Sequence, residues 1–91
     1  MAKRVAFMVQ GRVQGVFFRD FTQRNANLYG LTGWVRNTTD GKVQGEAQGD
    51  EESITKLIED ISRGPRHAQV TKLEKSEIDP KVGESRFQVV R

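Results

Sequence analysis

Arg19 closes a glycine-flanked run, GRVQGVFFR, that begins at Gly11 and continues into Asp20 and Phe21. Gly11 and Gly15 permit left-handed or sharply bent backbone, and they let a ligand approach the main chain closely. The segment leads from a strand-like run into a helix-like one. Amides at a helix start have no intrahelical acceptor, and the helix dipole there favours an anion. Successive N–H groups in such a bend form a concavity suited to phosphate oxygens. Arg19 falls in the first helical turn, where its planar fork can hold two oxygens and keeps its proton near neutral pH. A cation near the positive end of a helix costs stability, and a bound anion removes that cost. The Gly-x-x-x-Gly spacing is not a nucleotide P-loop, because no Gly-Lys-Ser/Thr follows. On residue types alone, a solvated first-turn arginine fits the same segment.

The elements that must position this loop follow from periodicity. RVAFMVQ alternates Val5, Phe7 and Val9 with Ala6 and Met8. Both faces are largely apolar, which predicts a central strand. From Phe17 to Tyr29 the period becomes helical. At about 100° per residue, Phe17, Phe18, Phe21, Ala26, Leu28 and Tyr29 share one half of the wheel, and Arg19, Asp20, Gln23, Arg24 and Asn27 share the other. Asn25 falls inside the apolar arc. Gly30 supplies a left-handed cap, and Leu31 can fold back after it. LTGWVRN and KVQGEAQ flank NTTDG, where Asp40-Gly41 signals a hairpin turn. GDEESITKLIEDISRGP reads as a second helix. Asp50 is its cap, Glu51 and Glu52 suit its positive end, and Ile54, Leu57, Ile58 and Ile61 follow helical spacing up to a Gly64-Pro65 stop. QVTKLEKSEI is a weaker strand, in which the opposite parity of Val70 and Leu73 predicts a bulge or irregular edge. FQVV reads as a short last strand.

This order is β-α-β-β-α-β with a short extra C-terminal strand. It predicts an α+β, ferredoxin-like sandwich: an antiparallel sheet with two helices on one face, in a single domain over residues 1–91. Ninety-one residues suffice for one core. The chain has no cysteine and one histidine, His67, so it offers neither thiolates nor a zinc ligand set, and no cofactor is expected. The formal net charge is +3, unevenly placed: residues 1–42 hold seven Lys/Arg and two Asp/Glu, and residues 43–91 hold eight and ten. A basic first half suits an anionic partner or a scatter of solvated charges. The start, MAKRVAFMVQG, has too short an apolar run for a signal peptide, and no stretch is long and apolar enough to span a membrane. A cytoplasmic monomer with no membrane partner is the expectation.

GRVQGVFFR, followed by GLTGWVRNTTDGKVQG, closely resembles the acylphosphatase family over nearly the whole chain, with AQG and the helix ending in GP also in family order. The departures are Gln44, where many members have glutamate, and the ending VVR, where some have an aromatic residue. The resemblance implies hydrolysis of the carboxyl-phosphate bond of acyl phosphates. It implies that Arg19 binds the phosphate, that Asn37 positions the attacking water, and that the backbone amides of Arg12, Val13, Gln14, Gly15, Val16 and Phe17 complete the phosphate cradle. The implied partner is a small-molecule acyl phosphate, with inorganic phosphate or sulfate as competing ligands.

Physical chemistry is consistent with that implication. An acyl phosphate is an activated anhydride, so its leaving carboxylate needs no strong general acid, and positioning plus electrostatics can suffice. No metal, covalent nucleophile or histidine base is then required. Thr38 or Thr39 can brace Asn37. An alternative is a non-catalytic small-anion or RNA-binding module of the same fold. RNA-recognition domains need aromatic platforms on two central strands. Phe7 offers one, KVQGEAQ offers none, and Trp34 reads as a packing residue, so no nucleic-acid partner is expected.

Overall fold

The computed structural model describes residues 2–90; Arg91, the last residue of the VVR ending, lies outside them. Val5, Phe7 and Val9 build β1 (Lys3–Arg12), which lies between two antiparallel partners, as its two apolar faces require. The remaining elements are α1 (Phe18–Leu28), β2 (Thr32–Asn37), β3 (Val43–Gly49), α2 (Glu51–Arg63), β4 (Gln69–Ile78) and β5 (Phe87–Val89). The strand order is β4-β1-β3-β2-β5. The first four strands form the expected antiparallel ferredoxin-like sheet. The extra strand β5 instead pairs parallel with β2, which makes the whole sheet mixed.

The second helix forms as its periodicity requires. Ile54, Leu57, Ile58 and Ile61 are buried against the sheet residues Phe7, Val9, Val35, Val43 and Ala47. Asp50 stands at the helix start in extended conformation, yet its carboxylate caps no backbone N–H; it accepts from the Ser53 hydroxyl at 2.9 Å. The opposite parity of Val70 and Leu73 is resolved by a register shift against Gln10 and Gly11, which leaves Thr71 as the extra residue and lets both apolar side chains turn inward.

The first helix differs from the wheel. Its buried stripe is Phe18, Thr22 and Ala26, while Phe17 is 79% and Leu28 77% exposed. Phe17 is not helical: it precedes α1 with φ 63°, so helical angles do not apply to it. Leu28 lies about 120° round from Thr22, the middle of the stripe. Thr22 tolerates burial because its hydroxyl donates to Phe18 O at 2.8 Å. Asn25 is half-buried at the edge of that stripe, and its carbonyl accepts from Tyr29 N at 3.0 Å. The helix ends as Gly30 foretells. Gly30 N donates to Asn27 O at 3.1 Å, and Leu31 N donates to Ala26 O at 2.9 Å, which closes the last turn and seats Leu31 in the core.

Arg4 is a second surprise, since no sequence pattern marks it. It is 1% exposed on the sheet face away from the helices. Its guanidinium donates to Glu46 at 2.8 Å, to Gln48 at 2.9 Å, and through two nitrogens to Glu84 at 2.7 and 3.0 Å. The bidentate bond to Arg4 holds the Glu84 carboxyl below the usual glutamate range. A carboxyl lowered in the folded state stabilises the fold above its unfolded pKa, and that contribution is lost as pH falls through the folded value.

Glu84→Ala leaves the buried guanidinium with Glu46 as its one carboxylate partner among the described residues. It should destabilise the protein by on the order of 3 kcal/mol at pH 7. The gap from wild type should close as pH falls below the ordinary carboxyl range. Urea melts of both proteins from pH 7 to pH 3 test this; a gap independent of pH would show that the ion pair adds nothing.

Candidate active site

Two strands bring the site together by ending at the same edge of the sheet. β1 and β2 are each antiparallel to β3, so they run parallel, one strand apart. Val9, Val43 and Asn37 form one row across the three strands. Asn37 therefore ends β2 at the same end of the sheet where β1 gives way to the loop before α1. Its side chain shares the parity of buried Val35, the face on which α1 packs.

The loop bends as its glycine allows. Gly15 has φ 72° with open space around its α-carbon, and Phe17 has φ 63°, so positive φ alternates with negative from Gln14 to Phe17. Backbone of alternating sign turns successive N–H groups toward one concave side. Among the described residues, none of the five N–H groups from Val13 to Phe17 has an acceptor within the protein. Arg12, by contrast, is the last residue of β1 and pairs opposite Gln69.

Beside this loop lies a cleft of about 400 Å³ lined by Val13, Gly15, Phe17, Phe18, Arg19, Asp20, Gln23, Asn37 and Val89. Arg19 and Asn37, eighteen positions apart in sequence, meet there. Of the six loop residues expected to cradle phosphate, Val13, Gly15 and Phe17 line the cleft; Arg12, Gln14 and Val16 do not. Arg19 is half-buried, and among the described residues it has no ion-pair partner. The one carboxylate in the lining, Asp20, pairs with Arg24 at 3.1 Å instead. The Oδ1 atom of Asn37 is buried with no hydrogen-bond partner, a polar group that a bound molecule could satisfy.

Two supports were not legible in the sequence. Gln14 Nε2 donates to Thr38 O and to Lys42 O, both at 2.9 Å, which ties the loop to the β2–β3 turn. Asn27 Oδ1 accepts from Phe87 N at 3.2 Å, which holds β5, and with it Val89, against α1. Thr38, expected to brace Asn37, braces the turn. Its hydroxyl accepts from Lys42 N at 2.9 Å and donates to the Asp40 carboxylate. That bond, with Lys42 beside it, holds the Asp40 carboxyl below the usual range.

Comparison with known proteins gives concordant results. The family model described as Acylphosphatase matches residues 5–89. A protein of Salinibacter ruber named acylphosphatase is 52% identical over 68 residues, covering 75% of this chain and 72% of its own length. One from Geobacillus thermodenitrificans is 41% identical, covering 97% of this chain and 94% of its own. The crystal structure of acylphosphatase from Bacillus subtilis superposes with a TM-score of 0.93 at 36% identity, covering all of both chains.

A half-buried guanidinium beside five unpaired N–H donors should bind tetrahedral oxyanions. At about 100 times Kd, phosphate or sulfate should add about 2.7 kcal/mol of stability, which a thermal melt in those salts against chloride at equal ionic strength detects. Arg19→Ala should lose most of the protection; equal protection of that variant would put the anion elsewhere.

Proposed function

We propose, from the premise that this chain belongs to the acylphosphatase family and hydrolyses the carboxyl-phosphate bond of acyl phosphates, that Arg19 and the amides from Val13 to Phe17 hold the phosphate, with Arg12 left in the β1 ladder, while Asn37 orients the water. The observation that carries this assignment is the meeting of Arg19, the loop and the unpartnered Asn37 carboxamide in one cleft.

The chemistry follows from what each group can do. Arg19 and the N–H donors neutralise the phosphoryl oxygens, so an entering water meets less repulsion. Asn37 accepts from that water through Oδ1 and fixes it in line with the leaving group. The new O–P bond forms as the P–O bond to the acyl group breaks. The carboxylate leaves with the electron pair, and the water's proton ends on inorganic phosphate or in solvent. Carboxylate is a good leaving group, so no general acid is needed at the acyl side. An alkoxide from a phosphate monoester would need one, and the cleft offers only Asp20, already paired with Arg24. Inorganic phosphate and sulfate compete for the same donors.

The alternative of an RNA-binding module finds no support, because Phe7 is 2% exposed within the core and offers no stacking surface. The enzyme acts as a cytoplasmic monomer. Lys72, Glu74, Lys75 and Glu77 on the edge strand β4 discourage strand pairing between copies, and a cysteine-free chain needs no oxidising compartment.

Arg19→Gln should lose both phosphate affinity and turnover of benzoyl phosphate. Asn37→Ala should keep phosphate affinity and lose turnover by about 10²–10³-fold. Calorimetric phosphate binding and benzoyl phosphate kinetics on both variants test the division of roles; an Asn37→Ala enzyme with more than about a tenth of normal turnover would reduce Asn37 to a hairpin residue.

Chelation gives a further test. Among the described residues, no group of three His, Cys, Asp or Glu is arranged to hold a metal. Activity on benzoyl and acetyl phosphate should survive EDTA followed by gel filtration, and an alkyl monoester such as glycerol phosphate, whose leaving group is an alkoxide, should be turned over poorly. Activity lost to chelation and restored by Mg²⁺ or Zn²⁺ would refute the mechanism.

A further inference from the structure

The geometry points to Gln14 as a positioning residue, whose side chain ties the loop before α1 to the turn after Asn37 and so sets where the attacking water stands relative to phosphorus. The inference deepens the roles given above to Arg19 and Asn37, and it rests on them.

An uncharged carboxamide has two N–H bonds to give. Gln14 gives both, to Thr38 O and Lys42 O at 2.9 Å each. Those acceptors do not move independently. Thr38 N donates to Lys42 O at 2.9 Å, and Lys42 N donates to Thr38 Oγ1 at 2.9 Å, so the turn is closed from both sides. Thr38 is covalently next to Asn37. One side chain thus grips a closed turn immediately beyond the residue that orients the water.

The sheet does not supply this link. β3 lies between β1 and β2, so no ladder bond joins the strand that feeds the loop to the strand that carries Asn37. Among the described residues, the two bonds from Gln14 are the only hydrogen bonds between residues 13–17 and residues 38–42. Gln14 lies outside the cleft lining, so its side chain acts through the turn and not by touching substrate. Without it, the anion-holding loop and the water-holding strand end can shift against each other while each keeps its own chemistry. A displacement of about 1 Å between reacting groups can cost on the order of 10²-fold in rate.

The test compares wild type, Gln14→Met, Asn37→Ala and the double variant, all checked for a cooperative thermal melt. Methionine matches the length of glutamine and donates nothing. Gln14→Met should lower kcat on benzoyl phosphate by about 10–10²-fold, with the Kd for inorganic phosphate close to that of wild type, because Arg19 and the N–H donors are intact. In the Asn37→Ala background the same change should have almost no further effect on kcat, since the group it positions is gone. Gln14→Glu provides a second readout should the methionine variant fail to fold. Its carboxylate only accepts, whereas its protonated form has one donor, so its kcat relative to wild type should recover as pH falls through the carboxyl range. A Gln14→Met enzyme with nearly normal kcat would overturn the proposal. Equal losses in both backgrounds, or a loss of phosphate affinity matching the loss of kcat, would also overturn it. A fully active Asn37→Ala would instead overturn the role of Asn37; an inactive Asn37→Ala beside an active Gln14→Met overturns that of Gln14 alone.

Discussion

The parallel run of β1 and β2, with β3 inserted between them, is the constraint from which the rest of the structure follows. Parallel strands end at the same edge of a sheet, and groups beyond those ends converge in space however far apart they are in the chain. Here the convergence brings Arg19 and the loop from β1 beside Asn37 at the end of β2. The connection between parallel strands must cross over the sheet, and α1 is that crossover. The helix that covers the core therefore also begins at the site. Its first turn carries the cation, and its preceding loop carries the unpaired amides.

The opposite face of the sheet has no helix, and the sequence meets that exposure with polar residues and one buried charge. Arg4 holds Glu46, Gln48 and Glu84 together. Gln48 exchanges two further bonds with the main chain of Lys81, at 2.8 and 2.9 Å. These contacts dock the segment between β4 and β5 onto the sheet. Three residues after Glu84 comes Phe87, wholly buried, and then Val89 in the cleft. A charge cluster on one face thus helps set a wall of the site on the other. Such a cluster is a weak source of net stability, because desolvating the ions offsets much of their attraction. Its effect lies in fixing one position for the chain.

The site itself is locally unfavourable. Phe17 adopts a left-handed φ of 63° that a bulky residue resists, and it stays exposed. Among the described residues, five N–H groups of the loop lack a protein acceptor, and the buried Asn37 carboxamide oxygen lacks a donor. Each is disfavoured without a ligand and satisfied by an anion or a water. The core of Phe7, Val9, Phe18, Leu57, Ile61 and Phe87, all nearly inaccessible, holds this arrangement in place.

Local pattern carried much of this. The alternation of Val5, Phe7 and Val9, the spacing of Ile54 to Ile61, the Asp40-Gly41 turn and the Gly30 cap each act through neighbours a few residues away, so strand, helix, hairpin and cap were readable before any fold was known. The GRVQGVFFR and GWVRN motifs likewise marked Arg19 and Asn37. What depended on distant residues was not readable. Phe17 stayed out of the core because it precedes α1 in a left-handed conformation, and Thr22 joined it because the sheet covers the Phe18–Ala26 stripe. Burial of Arg4 needed Glu46 and Glu84, far along the chain. The parallel pairing of β5 required β2 to present a free edge. The grip of Gln14 on Thr38 and Lys42 required the sheet to bring the loop to the hairpin turn. The sequence by itself determined the glycine loop, the cation of Arg19 and, through the family resemblance, the role expected of Asn37. Only the tertiary structure decided that they share one cleft, because convergence of chain ends is a property of strand order, which no short-range pattern encodes.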